Sequence, residues 1–195
     1  MILPITGYGD PVLRKVCVEI SSDDENLKTT ISNMYETMYN ANGVGLAAPQ
    51  VGLPIRLFIV DTSPFGEDDD LESDEQNQLK KFKKTFINAK MLKEEGEEWG
   101  FNEGCLSIPD VREDVFRHEK ITIEYFDEEF NKHTEVYDGL IARVIQHEYD
   151  HIEGILFTDL ISSFKKQLIK KKLQNIMEGK ARPDYKMKYV AKKGR

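Results

Sequence analysis

The stretch Gly139-Leu140-Ile141-Ala142-Arg143-Val144-Ile145-Gln146-His147-Glu148-Tyr149-Asp150-His151-Ile152-Glu153-Gly154 decides how this chain is read. Its apolar residues Leu140, Ile141, Val144 and Ile145 fall on or near one side of a helix running from Gly139 to Glu153. Gly154 stands where a left-handed cap would end that helix. His147 and His151, four residues apart, then lie one above the other on a single face. Both imidazoles can be aimed at one point, with Glu148 beside them as a base. Two histidines do not complete a metal site, and no histidine follows His151. Glu153 is too close along the helix to join both rings easily, and Glu178 sits among basic residues.

Upstream, Glu103-Gly104-Cys105-Leu106-Ser107-Ile108-Pro109 offers Cys105 as a third ligand. A lone cysteine is more often a small buried apolar residue. Here Gly104 permits unusual backbone dihedrals, and Pro109 interrupts a regular ladder soon after. The two segments together suggest a Cys-His-His metal with a fourth position open to water, the arrangement of a metal-dependent hydrolase. A third segment, Gly43-Val44-Gly45-Leu46-Ala47-Ala48-Pro49-Gln50, is compatible with close backbone approach, and Gln50 brings an amide donor able to polarise a carbonyl. By itself it reads as a turn.

Composition agrees with one catalytic domain over 1–195: the length suffices for a core, and 39% of residues are hydrophobic against 32% charged. No basic, apolar leader pattern opens the chain, and no run approaches the roughly 20 apolar residues of a membrane span. Cys17 and Cys105 are the only cysteines, which points to a reducing cytoplasm and not to a disulfide framework. The net charge of −8 hides an asymmetry. Residues 165–195 hold twelve Lys or Arg against Glu178 and Asp184, a local +10, so residues 1–164 carry −18. A basic helix and tail of this kind is suited to an anionic partner or to a solvated face.

Elsewhere, Leu27, Ile31, Met34 and Met38 predict a helix over 26–40, with Ser21, Ser22 or Asp23 as its cap. Gly43 to Pro54 reads as a loop and Ile55 to Asp61 as a buried strand. Residues 64–84, acidic and then basic, read as a surface insertion of disorder-like composition without the spacing of a calcium loop. Strands are expected at Thr85–Leu92, around Trp99–Phe101, at Ile121–Phe126 and at Thr134–Val136. A last helix starts at Ser162 or Ser163 and carries Phe164, Leu168 and Ile176. The order predicts an α+β fold, with mainly antiparallel sheets around the central helix that carries the His-Glu-x-x-His motif and a C-terminal helix after it.

Taken in order, Gly43 to Gln50, Glu103 to Ser107 and Gln146 to His151 resemble the three motifs of the peptide deformylase family: Gly-x-Gly-x-Ala-Ala-x-Gln, Glu-Gly-Cys-Leu-Ser and Gln-His-Glu-x-Asp-His. Gly9-Asp10-Pro11-Val12-Leu13-Arg14 is similar to that family's beginning. The likeness covers roughly residues 1–165 and departs mildly, with Ile152 where Leu is usual and the 64–84 stretch as an insertion. It implies removal of the formyl group from N-formylmethionyl nascent peptides with release of formate. Cys105, His147 and His151 would bind the metal and Glu148 would carry the proton. The Gln50 side chain and Leu106 backbone N–H would stabilise the oxyanion. Gly43, Val44, Phe101, Leu106, Leu140, Arg143 and Val144 match the pocket for the methionine side chain. Gly45 would hold the peptide as an added strand, and Glu103 and Arg112 fall among substrate-binding positions. The likeness implies ferrous iron, with nickel or cobalt able to substitute, whereas ligand type alone suits zinc. It also implies a terminal helix able to dock near the ribosome, and it implies neither membrane nor DNA as a partner. A metallopeptidase, a structural metal domain and a ribosome-associated binding module are the competing readings.

Overall fold

The computed structural model describes residues 1–190. In chain order the elements are β1 (Ile5–Thr6), α1 (Leu27–Asn40), β2 (Gly45–Ala47), β3 (Leu57–Asp61), α2 (Ser73–Lys81), β4 (Lys83–Cys105) and β5 (Ile108–Phe126). They continue with β6 (Lys132–Asp138), α3 (Gly139–Ile152), α4 (Phe157–Leu160), α5 (Ser163–Met177) and β7 (Met187–Lys188). Strands β2-β3-β4-β5-β6 form one antiparallel sheet in that spatial order, and β1 pairs with β7 in parallel. The expected α+β architecture, with its sheets around the motif helix, is the observed one.

Strand β3 shows why the sheet sits where it does. All five of its residues are buried, and their side chains alternate between two faces. Leu57 and Ile59 pack with Ile31, Met34 and Met38 of α1, while Phe58 and Val60 pack with Ile141, Ala142 and Ile145 of α3. A strand covered by a helix on each side reads as a continuous apolar run, as 55–61 does. The motif helix is thereby held against the middle of the sheet. It ends at Gly154, whose φ of +74° is the left-handed cap expected there.

Several expectations need correction. α1 begins at Leu27, and its N-cap is Asn26, with no side-chain capping bond; Asp24 accepts from the Asn26 N–H at 2.9 Å, so none of Ser21, Ser22 or Asp23 caps it. The stretch 43–54 is not all loop, since Gly45–Ala47 forms β2 and Ala48–Val51 a 3₁₀ turn. The strands expected at 85–92 and near 99–101 are one continuous β4, which pairs with β5 through several register shifts. Its middle, Glu94 to Glu98, is too acidic to carry an apolar alternation.

The disorder-like 64–84 stretch is ordered as well. α2 places Asp74 and Glu75 in its first turn and Lys80 and Lys81 in its last, the arrangement that complements a helix dipole. Leu79 and Phe82 are buried in the main core. On α5 the buried residues are Ile169 and Ile176, with Leu173 partly buried; Phe164 and Leu168 are 72% and 63% exposed, one position off the stripe that packs. Ser162 does cap this helix, accepting from the Lys165 N–H at 3.3 Å. Among the described residues no helix is long and apolar enough to cross a membrane. Lys192, Lys193 and Arg195 of the basic tail lie outside the described residues.

Candidate metal centre

The α3 helix brings His147 and His151 beneath the β4–β5 hairpin, whose tight turn is Leu106-Ser107 between the paired Cys105 and Ile108. The Cys105 Sγ stands 3.2 Å from His151 Nε2, and one donor atom from each of Cys105, His147 and His151 lies within 4.8 Å of the others. A thiol and two imidazoles converging in this way suit a single divalent cation of borderline softness. The ring of His147 is oriented by Glu103, whose carboxylate accepts from Nδ1 at 2.8 Å and leaves Nε2 for the centre. Cys17, by contrast, is buried in the apolar core, and His118 and His133 hydrogen-bond Gly96 and Asp127 elsewhere on the sheet.

Glu103 is a hub. It accepts from Arg117 Nε at 2.7 Å and from Arg143 Nη1 at 3.1 Å, and Arg117 reaches on to Asp150 at 2.7 Å. Burial alone would push the Glu103 carboxyl up, but His147 and Arg117 outweigh it and hold the group below the usual carboxylate range. Glu103→Gln should therefore destabilise the protein by about 3–5 kcal/mol near neutral pH, because Arg143 loses its buried counter-charge and Arg117 keeps only Asp150. A depressed carboxyl contributes stability above its unfolded pKa of roughly 4.3, and loses it as pH falls through the folded value. The loss begins only below the unfolded value, so denaturant melts at pH 7 and pH 3 should show the gap between variant and wild type narrowing at the lower pH.

Glu148 is 4% exposed, and its Oε2 has no hydrogen-bond partner within the protein. Burial pushes its carboxyl up to about 7. Gly45 makes this placement possible: a Cβ there would come within 2.4 Å of Glu148 Oε1. Gln50, also buried, has its amide fixed, since Oε1 accepts from the Ala47 N–H at 2.7 Å and Nε2 points to Cys105 Sγ and Ser107 Oγ, each at 3.4 Å. An orphaned buried carboxylate oxygen beside an oriented amide and three metal-type donors is a site built to receive something from the cleft.

That cleft has a volume of about 560 Å³ and is lined by Gly43, Val44, Gly45, Gln50, Phe101, Glu103, Cys105, Leu106, Arg112, Arg143, Val144, His147 and Glu148. Leu140 stands apart. It lines a separate shallow hollow with Trp99 and Phe101, because two helical turns, roughly 10 Å, separate it from His147. The Arg143 guanidinium is held by Glu103, Trp99 O and Val115 O, and stacks 4.4 Å from the Trp99 ring. Arg112 is exposed at the rim, bonded to Asn102 at 3.0 Å. Strand β2 is the edge of its sheet and forms one wall.

Sequence reasoning missed several residues around the site, Arg117 and Tyr185 among them. Arg117 shares its strand face with the buried Val115, two residues before it on β5, and alternates with the exposed Phe116, so strand phase could have found it. Tyr185 lines the cleft from the C-terminal segment, which α5 and a chain reversal bring back to the site. Nothing local in the sequence signals that return.

A His-Glu-x-x-His helix joined by a cysteine, with a buried carboxylate at the floor of a cleft, defines a metal-dependent hydrolase. A family model described as polypeptide deformylase matches residues 2–167. The chain is 78% identical over 193 residues to the peptide deformylase of Flavobacterium psychrophilum, covering 99% of this chain and 100% of that one. Its structure is similar to a peptide deformylase crystal structure from Legionella pneumophila, with a TM-score of 0.78, 35% identity, and coverage of 93% and 99% of the two chains. It is also similar to that from Thermotoga maritima, with a TM-score of 0.72, 38% identity, and coverage of 83% and 99%. The chain belongs to the polypeptide deformylase family, hydrolases that deformylate nascent polypeptides.

Proposed function

We propose that this site removes the formyl group from N-formylmethionyl nascent polypeptides in the cytoplasm, with one divalent metal held by Cys105, His147 and His151. The observation that carries the reading is the convergence of those three donors beside the unpartnered carboxylate of Glu148 at the floor of the cleft. A cation held there supplies Lewis acidity, which makes water nucleophilic near neutral pH and polarises a carbonyl. Glu148 takes the proton as water adds to the formyl carbon, and returns it to the amine as the C–N bond breaks. Formate and a free amino terminus result. Gln50, its amide already oriented, and the Leu106 N–H stabilise the charge on the formyl oxygen, and such a donor typically contributes about 3 kcal/mol. The open edge of β2 suits pairing with an extended peptide, with Gly43, Val44, Phe101, Arg143 and Val144 around its first side chain. Ferrous iron is the metal favoured by the family likeness.

The test is to supply anaerobically purified protein with formyl-Met-Ala-Ser and acetyl-Met-Ala-Ser. Formate from the first and no product from the second is the expected outcome. Cleavage of an internal peptide bond would move the reading to a peptidase.

The exposed lysines of α5 suit an RNA-rich partner such as the ribosome that delivers the substrate. Because Ile169 and Ile176 are buried, truncation is a poor probe; charge reversal at Lys170 and Lys171 is the better one. It should weaken low-salt ribosome co-sedimentation and leave turnover of short peptides intact. Unchanged co-sedimentation would return these lysines to a solvated face.

A further inference from the structure

The segment after α5 turns at Gly179 (φ +69°) and runs back across the mouth of the cleft. It is well anchored. The Ile5 N–H donates to Lys186 O and the Gly7 N–H to Lys188 O, both at 2.8 Å, through the β1–β7 pairing. The Tyr189 hydroxyl donates to Ala181 O at 2.7 Å, which closes the loop on itself. Between these anchors Tyr185 faces the turn of the β4–β5 hairpin, and its hydroxyl donates to Leu106 O at 2.7 Å. The next carbonyl, Ser107 O, accepts from the Tyr8 N–H at 2.9 Å.

Both carbonyls of this two-residue turn are thus held by groups from the two ends of the chain. The turn directly follows Cys105, and Leu106 faces the cleft. A two-residue turn on its own has soft dihedrals. The plane that holds the Leu106 carbonyl and the plane that holds the Leu106 N–H meet at the Leu106 Cα, so fixing the carbonyl removes freedom at ψ of Leu106 and steadies that Cα. Tyr185 lies eighteen residues beyond residue 167, where the family match ends, so the family likeness assigns it nothing.

We propose that Tyr185 is a positioning residue for deformylation: its hydroxyl anchors the Leu106 carbonyl, which fixes the Leu106 Cα and through it steadies the adjoining Cys105–Leu106 peptide, whose N–H is directed at the developing oxyanion. This rests on the deformylase reading and on the part given there to Leu106. The C-terminal segment that reads as a basic tail is then a structural wall of the site. A misplaced oxyanion donor costs rate and not ground-state binding.

The decisive variant is Tyr185→Phe, which keeps the ring and removes the hydrogen bond. With formyl-Met-Ala-Ser its kcat should fall about three- to tenfold, as expected for one such bond, while KM and metal content stay at wild-type values and the melting temperature falls by no more than about 2–4 °C. Amide hydrogen exchange should speed up in the 105–107 turn and not on α3. Tyr185→Leu should lose stability as well, and Phe should rescue that stability without rescuing kcat. A Tyr185→Phe enzyme with wild-type kcat overturns the inference, as does unchanged exchange in the turn, a rise confined to KM, or a kcat loss that merely tracks lost metal or lost fold. If wild-type protein releases no formate, the deformylase reading falls and this inference with it. An active wild type with a fully active variant removes this inference alone.

Discussion

Glu148→Ala is expected to bind metal as the wild type does and to lose about 10²–10⁴ in kcat, the range for removal of a positioned proton carrier. That loss corresponds to roughly 3–5 kcal/mol of transition-state stabilisation. The separation of roles follows from helix geometry. His147 and His151 share a face, and residue 148 is rotated by one helical step toward β2, where Gly45 leaves room for its carboxylate. Glu148 lies outside the group of three converging donors, so its removal leaves the cation site whole. KM should change little, because the proton is moved only as the reaction proceeds. Metal content by elemental analysis and steady-state kinetics on one preparation check both halves. Near-normal turnover in the variant would mean that another group carries the proton.

Replacing Cys105, His147 or His151 by Ala should have the opposite signature, with metal and activity lost together. Removing a group that merely orients a ligand typically costs 10- to 100-fold in metal affinity. Removing a ligand from a three-donor set must cost more. The fold should survive in Cys105→Ala, since Cys105 is only partly buried at the end of β4 and the hairpin keeps its pairing with Ile108. What disappears is the metal-dependent rise in melting temperature, because a ligand that binds only the native state stabilises it by mass action. Stoichiometric metal retained by Cys105→Ala would mean that the centre is built from other donors.

Most of this site could be read from the sequence because its parts are local. The spacing of His147 and His151 needs only a helix to become geometry, and the motif helix, its Gly154 stop and the buried β3 strand all follow from periodicity. What could not be read depends on contacts distant along the chain. Residues 64–84 look disordered in composition, yet the charges are sorted along α2 by the helix dipole and Leu79 and Phe82 supply its anchorage. Arg143 reads as an odd polar residue in a pocket wall until Glu103, Arg117 and Trp99 are seen around it. On α5 the choice of Leu168 over Ile169 was an error of one helical position, which sequence alone does not settle when apolar residues are adjacent. Tyr185 reaches Leu106 across 79 residues of sequence, through a chain reversal without any motif.

The account's central claim is a one-metal hydrolytic centre, and the most direct measurement is formate release as a function of metal returned to the stripped protein. Chelator-treated enzyme, kept anaerobic, should release no formate from formyl-Met-Ala-Ser. Ferrous ion added in steps should restore activity linearly to a plateau at one equivalent per chain, and the Cys105→Ala protein should show no such rise. Full activity in the stripped protein, or a plateau well away from one equivalent, would contradict it.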